Sequence, residues 1–546
     1  MYRYILLITA ACFFSLALKA QRDTTKQSIN ITSSFKPVLR NAVKINFSGS
    51  QLLADTSTTV RPYIIPAQNL FYAYQPIALR PLALQQDTNL YLGGRNYVKA
   101  GFGNYSTPYV KAGLSFGNGK TALLNLYGSY ISSKGKIKNQ DYSQFEGKAT
   151  ASYFAKKFEV YGSGSVRQNN YFLYGYDHTL FDYKKEDVKQ HFQDINVTAG
   201  IRNTNITEYR ISYNPSVSVN IFSNIGKLNE TTFAVNAPIE KKFGDNFALK
   251  VEAKGDFTNY FTKGYVANNY NFNNNVVQVS PSLVYTSPKF SINGGISPTW
   301  NNSKFVWLPN IYGEYQLKEK VFSLQAGWIG RYVKNTYRNL TAVNPYLATI
   351  TSQTNTKEVE FYGGIKGSLG NHFNFNAKAG IVRYTDLPFF INDTSAVNGD
   401  NKSFVIANES RVDNFRVHGD LSYIMQDKFT VTGGVTFNGY TGMKSNGKAW
   451  NTIPVEINGA LRWYAFKQVL LKADFYMFGG GNYIDKGDVS RTFKPGSDLS
   501  LGAEFKITKQ FSAWLDVNNV FNDKYERWHN YQVYGLNLVG GIRFDF

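Results

Sequence analysis

From about residue 93 to the end of the chain, apolar and polar side chains take turns. In 247–257, Phe247, Leu249, Val251, Ala253 and Phe257 hold one set of alternate positions, and Lys250, Glu252, Lys254 and Asp256 hold the other. In 206–221, Tyr209, Ile211, Tyr213, Val217, Val219 and Ile221 alternate with Arg210, Ser212, Asn214, Ser216, Ser218 and Asn220. In 469–477, Leu471, Ala473, Phe475 and Met477 alternate with Lys472, Asp474 and Tyr476. A period of two places successive side chains on opposite faces of a strand, whereas a helix would scatter these charges around its axis. Each run has the length of a tilted strand crossing a bilayer.

The connections are of two kinds. Short ones often lead into an aromatic residue, as in Lys156-Lys157-Phe158, Ser287-Pro288-Lys289-Phe290, Asn371-His372-Phe373, Asp427-Lys428-Phe429 and Lys509-Gln510-Phe511. Long ones span 168–190, 335–356, 386–411 and 479–495. Tight turns at one end and long loops at the other are the layout of outer-membrane barrels, with the short side periplasmic. About ten short turns predict an all-β, antiparallel transmembrane barrel of about 22 strands, with 18 and 20 as alternatives, over residues 93–546. Closure is required because an open sheet edge in hydrocarbon leaves N–H and C=O groups unpaired.

Composition sharpens this picture. The chain has 546 residues, 18% of them charged, and a mean hydropathy of −0.32, values that taken alone describe a soluble protein. Yet 16% of its residues are Phe, Tyr or Trp, as expected where aromatic girdles flank a lipid belt and a polar interior dilutes the average. Residues 1–20 read as a cleaved export signal: Arg3, an apolar run from Ile5 to Leu18, and Ala20 before Gln21. The single cysteine, Cys12, lies inside it, so the mature chain is expected to form no disulfide, thiolate nucleophile or cysteine metal site. Residues 21–92, broken by Pro37, Pro62, Pro66, Pro76 and Pro81, read as an irregular periplasmic or luminal segment and a candidate reduced plug.

The net charge is +21, but Lys and Arg are spread along the chain rather than gathered in one stripe. Basic turns facing anionic lipid head groups are the first expectation, a positive lumen the second, and nucleic acid is not a predicted partner.

The final segment is the most informative. Tyr534, Leu536, Leu538, Gly540, Ile542, Phe544 and Phe546 alternate with Gly535, Asn537, Val539, Gly541, Arg543 and Asp545. A terminal aromatic closing such a strand resembles the signal that outer-membrane insertion machinery reads; Tyr534, Leu536, Leu538, Ile542, Phe544 and Phe546 would carry it. Upstream, 513–525 (Ala-Trp-Leu-Asp-Val-Asn-Asn-Val-Phe-Asn-Asp-Lys-Tyr) resembles the penultimate strand and following loop of TonB-dependent receptors. Gly103–Tyr109 and Ser132–Ile137 resemble early strands of receptor-like barrels of Bacteroidetes type. The resemblance implies an outer-membrane barrel for passage or uptake of a solute. It departs from the family in 21–92, where no TonB box and no full plug align, which argues against energised uptake through TonB. The rival expectation is therefore a non-transporting barrel subunit of a larger outer-membrane assembly or secretion complex, with a periplasmic or lipoprotein partner.

Candidate chemistry is sparse. The five histidines, His178, His191, His372, His418 and His529, have no metal-ligand spacing. Asp177-His178 is an acid beside a base in sequence, which does not make a catalytic pair without geometry. No catalytic residue, metal or cofactor is predicted, and the protein is not read as an enzyme. Lys250, Glu252, Lys254, Asp256, Arg416, His418, Asp420, Lys472, Asp474 and Arg543 are the candidate lumen residues, of both signs. Tyr260, Phe261, Tyr265, Tyr270 and Phe272, in the Asn-rich stretch 259–275, are candidate outer-loop contacts for a sugar or peptide.

Overall fold

The computed structural model describes residues 96–546, apart from 264–268, 319–321, 371, 395–398, 426–427 and 486–488. The expected signal and the segment 21–92 lie outside the described residues. What is described is a closed antiparallel barrel of 22 strands. Its first strand, Tyr97–Gly103, pairs with the last, Asn537–Asp545, in a register running from Tyr97↔Asp545 to Gly103↔Val539. No sheet edge is left bare there, as the hydrocarbon environment demands.

The wall is inside-out relative to a soluble protein. Val217, Val219, Ile221, Leu249 and Phe257 are exposed on its outer face, while Lys250, Glu252 and Asp256 face the interior between them. One stave is interrupted. Ile211–Tyr213 and Ser216–Asn224 both pair with Leu228–Phe243, and Asn214-Pro215 separates them. Proline has no N–H to give the ladder, so the single strand expected across 206–221 breaks there. Residues 204–210 instead form the turn before it, with Arg210 at φ 57°.

One rim carries tight turns such as Phe154 to Phe158, Phe243 to Phe247 and Lys506 to Phe511, together with both ends of the barrel. The other rim carries the long connections, but not exclusively. Asn301 to Lys304 is a two-residue hairpin on that rim, with Asn302 and Ser303 at φ 46° and 72°, a left-handed pair whose twist suits the strands. The long loops also hold structure of their own: the helix Tyr337–Val343 and the hairpin Leu387–Asn392 with Phe404–Glu409. Two expectations are corrected here. Most of 259–275 is strand, because Phe247–Thr262 and Asn271–Thr286 stay paired from Phe261↔Asn271 inward. Tyr534 and Leu536 precede the final strand, which starts at Asn537.

The closing seam has its own device. Trp514 pairs with Gly541, Gly541 with Gly101, and Gly101 with Tyr109. The indole lies over the two glycines on the inner wall: a Cβ at Gly101 would sit 2.5 Å from Trp514 Cζ2 and 2.5 Å from the Gly540 carbonyl oxygen. Its ring meets Tyr109 edge-on at 5.3 Å and carries the Lys99 ammonium 3.9 Å above it. One aromatic thus covers the junction of the last strands with the first.

Candidate functional site

The inner wall is a lattice of paired charges. Lys250 lies 3.3 Å from Glu240, Lys254 lies 2.9 Å from Glu252, and Asp256 accepts from Lys334 at 2.5 Å. Arg462 grips Asp474 at 2.9 Å, Lys472 lies 3.8 Å from Glu504, and Arg543 donates to Asp545 at 2.8 Å. Of the candidate lumen residues, His418 and Asp420 are joined (Nε2 to carboxylate, 2.7 Å), with the His418 Nδ1 2.8 Å from the Thr436 hydroxyl. Arg416 turns away and donates to the Tyr384 hydroxyl. The wall is polar and mixed in sign, so these residues do not make the lumen positive.

The long loops meet over the mouth. The helix Tyr337–Val343 belongs to the loop between Phe322–Val333 and Thr356–Leu369, yet its first-turn amides point at Glu230 on Leu228–Phe243. Glu230 is wholly buried and accepts from Tyr337 N (2.7 Å), Arg338 N (3.2 Å) and Gln353 Nε2 (3.2 Å). Arg338 also donates to Asp194 at 3.0 Å on the strand Lys189–Asn203. Four strands stand between Leu228–Phe243 and Phe322–Val333. At about 4.8 Å per strand the loop crosses roughly 25 Å of wall, which it does by folding inward. The N-cap Thr336 accepts from Asn339 N at 3.2 Å, and Tyr337 packs near Phe192, Phe222 and Tyr260.

This strap is locked to its neighbours. Tyr346 stacks on Tyr531 from the final loop with centroids 3.5 Å apart, and Tyr174 from the loop 173–188 meets Tyr531 edge-on at 4.8 Å. Ala348 N donates to Phe404 O at 2.8 Å and Phe404 N to Tyr346 O at 3.0 Å, joining the strap to the hairpin of the next long loop. Trp528 fits edge-on between Phe390 (5.3 Å) and Phe404 (5.5 Å). Burial pushes the Tyr174, Tyr346 and Tyr531 hydroxyls well above the ordinary phenol range, so all three stay neutral. Glu409 ties the same hairpin to the connection between Phe429–Thr441 and Val455–Phe466: its buried carboxylate accepts from Lys444 N (2.7 Å), Asn446 N (2.8 Å) and Ser445 N (3.0 Å) there, and from Arg411 N (3.2 Å). Burial would raise this carboxyl, but the four amides outweigh it and hold it below the usual range.

The other sequence candidates fall as follows. Tyr260 is fully buried, stacked on Phe272 at 4.5 Å, and donates to Ile350 O at 3.0 Å, so it supports the strap and offers no outer contact. Tyr270 and Phe272 pack against the same aromatic cluster, Phe261 is half-buried, and Tyr265 lies outside the described residues. Leu536, Leu538, Ile542 and Phe546 are exposed, and Phe544 lies 4.8 Å from Phe511. Tyr534 instead joins the loops, donating to Gln140 O and meeting Tyr105 and Tyr142 edge-on. His178 contacts Tyr174 O at 3.1 Å and the Tyr176 ring. Among the described residues no group of three His, Cys, Asp or Glu side chains could hold a metal ion.

Sequence reasoning missed Glu230, Arg338, Tyr346, Trp528 and Tyr531. The available signal was aromatic density in several separate long loops, more than solvated loops need.

No model of a known family matches this chain, and no curated protein matches it. Solved structures do. The chain is similar to the FrpB iron transporter of Neisseria meningitidis (TM-score 0.63, 11% identity, 83% of this chain and 81% of that one). It is similar to the siderophore receptor PirA of Acinetobacter baumannii (TM-score 0.62, 12% identity, 83% and 80%). It also resembles the ferric enterobactin receptor of Pseudomonas aeruginosa (TM-score 0.59, 11% identity, 83% and 80%). At such identity the likeness is one of fold.

Proposed function

We propose that this chain is an outer-membrane barrel for the passage or uptake of a solute, held shut on the outer side by its own loops. The observation that carries the reading is the strap: a wide, charge-lined wall is crossed at the mouth by a segment pinned to Glu230 and Asp194. A barrel of this width needs its lumen filled or gated. The fold is that of proteins known as receptors and transporters of iron, siderophores and copper, which favours transport over enzymatic chemistry. On this reading the short-turn rim is periplasmic, the looped rim faces outward, and 21–92 serve as a reduced plug or periplasmic segment.

Planar-bilayer recording tests it. The native barrel is expected to conduct little, and replacement of 337–350 by a short Gly-Ser link to open a large, persistent conductance. Equal, negligible conductance and no solute flux in both, also with 21–92 deleted, would end the proposal.

A further inference from the structure

On the inner wall most cations meet a carboxylate; on the short-turn rim five lysines have no carboxylate partner among the described residues. Lys120, Lys156, Lys289, Lys428 and Lys467 are exposed on five different turns. Two acids described in neighbouring turns of the same rim, Glu208 and Asp245, are taken by Lys157 at 3.3 Å and Arg210 at 3.5 Å; Glu319 and Asp427 lie outside the described residues. Along the same rim the outer face carries exposed phenylalanines, among them Phe158, Phe247, Phe290, Phe466 and Phe511. In Lys157-Phe158, Lys289-Phe290 and Lys428-Phe429 the two types are adjacent in sequence. A ring seated at the boundary of acyl chains and head groups fixes the depth of its neighbour, and the flexible lysine stem then lifts the ammonium to phosphate level.

We infer that this rim is a collar that selects anionic phospholipid, one net negative charge per phosphodiester head group as in phosphatidylglycerol, from the leaflet it sits in. The inference rests on the outer-membrane reading. It favours lipid over an acidic protein because the cations are strung around the circumference with outward aromatics between them, rather than gathered on one face.

The test is a spin-labelled lipid measurement on the full barrel in phosphatidylcholine vesicles, comparing the motionally restricted fraction of labelled phosphatidylglycerol with that of labelled phosphatidylcholine. A preference of about two- to fourfold is expected in low salt, falling close to unity at about 1 M salt as exposed charges are screened. A variant carrying Lys120→Gln, Lys156→Gln, Lys289→Gln, Lys428→Gln and Lys467→Gln should lose most of that preference. One carrying Lys134→Gln, Lys136→Gln, Lys444→Gln, Lys448→Gln and Lys494→Gln, on the looped rim, should keep it. Folding of both is checked by the mobility shift on heating in detergent gels. No preference in the native barrel, or equal loss or equal retention in the two variants, overturns the collar. Conductance read on the same vesicles keeps that failure separate from failure of the transport reading.

Discussion

Glu409 shows how much one side chain can hold when its partners are backbone amides. Because its carboxyl is held below the ordinary range, its contribution to the folded loops is fully present above the unfolded value and is lost as pH falls through the folded one. Glu409→Gln is therefore expected to cost about 1–3 kcal/mol of local stability near pH 7. It should also remove the acid-side loss that the native loops show. Amide hydrogen exchange at Lys444, Ser445 and Asn446 reads both effects; native-like protection in the variant at neutral pH would refute the account. Gly101 makes the opposite point, since its value is the atom it lacks. Gly101→Ala should abolish the folded band on unheated gels, and adding Trp514→Ala should not restore it, because the Gly540 carbonyl still lies 2.5 Å from the new Cβ.

Among elements, the strap is the one whose position is set by a few nameable bonds. Glu230→Gln keeps one acceptor oxygen but replaces the other by an NH2 group that cannot accept from a helix amide, and Arg338→Gln cuts the link to Asp194. Each should increase the frequency of brief conductance openings severalfold, and the double variant more than either alone. Single-channel recording decides; unchanged gating in both would mean that the aromatic stack of Tyr346 and Tyr531 suffices. The membrane strands were legible because period two survives wherever one face must be oily and the other wet. The strap was not, because its partners lie more than a hundred residues away on the wall, and nothing local in Tyr337 or Arg338 names Glu230. A separation of 90 residues from Ile350 likewise hid the role of Tyr260, whose aromatic-and-Asn surroundings looked like a contact loop but continue the sheet. Pro215 was visible in the sequence, and its missing donor is what divides the stave.

At the scale of the molecule, charge is sorted by location: paired along the inner wall, carried by five exposed lysines without a described carboxylate partner on the short-turn rim, and mixed with aromatics across the looped mouth. The net charge of +21 could not announce this by itself, since a sum carries no address. Strand number followed from counting turns, and the sidedness of the lysines only from seeing which turns share a rim. Raising ionic strength is expected to weaken the lipid preference while leaving the buried contacts of the strap intact, because exposed charges are screened far more than buried ones. Conductance measured across a salt series, corrected for bulk conductivity, should therefore show a mouth that stays shut; progressive opening with salt would place surface charge, not packing, in control.

The seam between Tyr97–Gly103 and Asn537–Asp545 has a consequence for biogenesis. The opening stave waits for the closing one, so translation that stalls before residue 537 leaves a ribbon with two raw margins that lipid cannot tolerate. Such fragments should be destroyed rather than inserted, which makes a sound cylinder its own certificate that both staves of the seam were made.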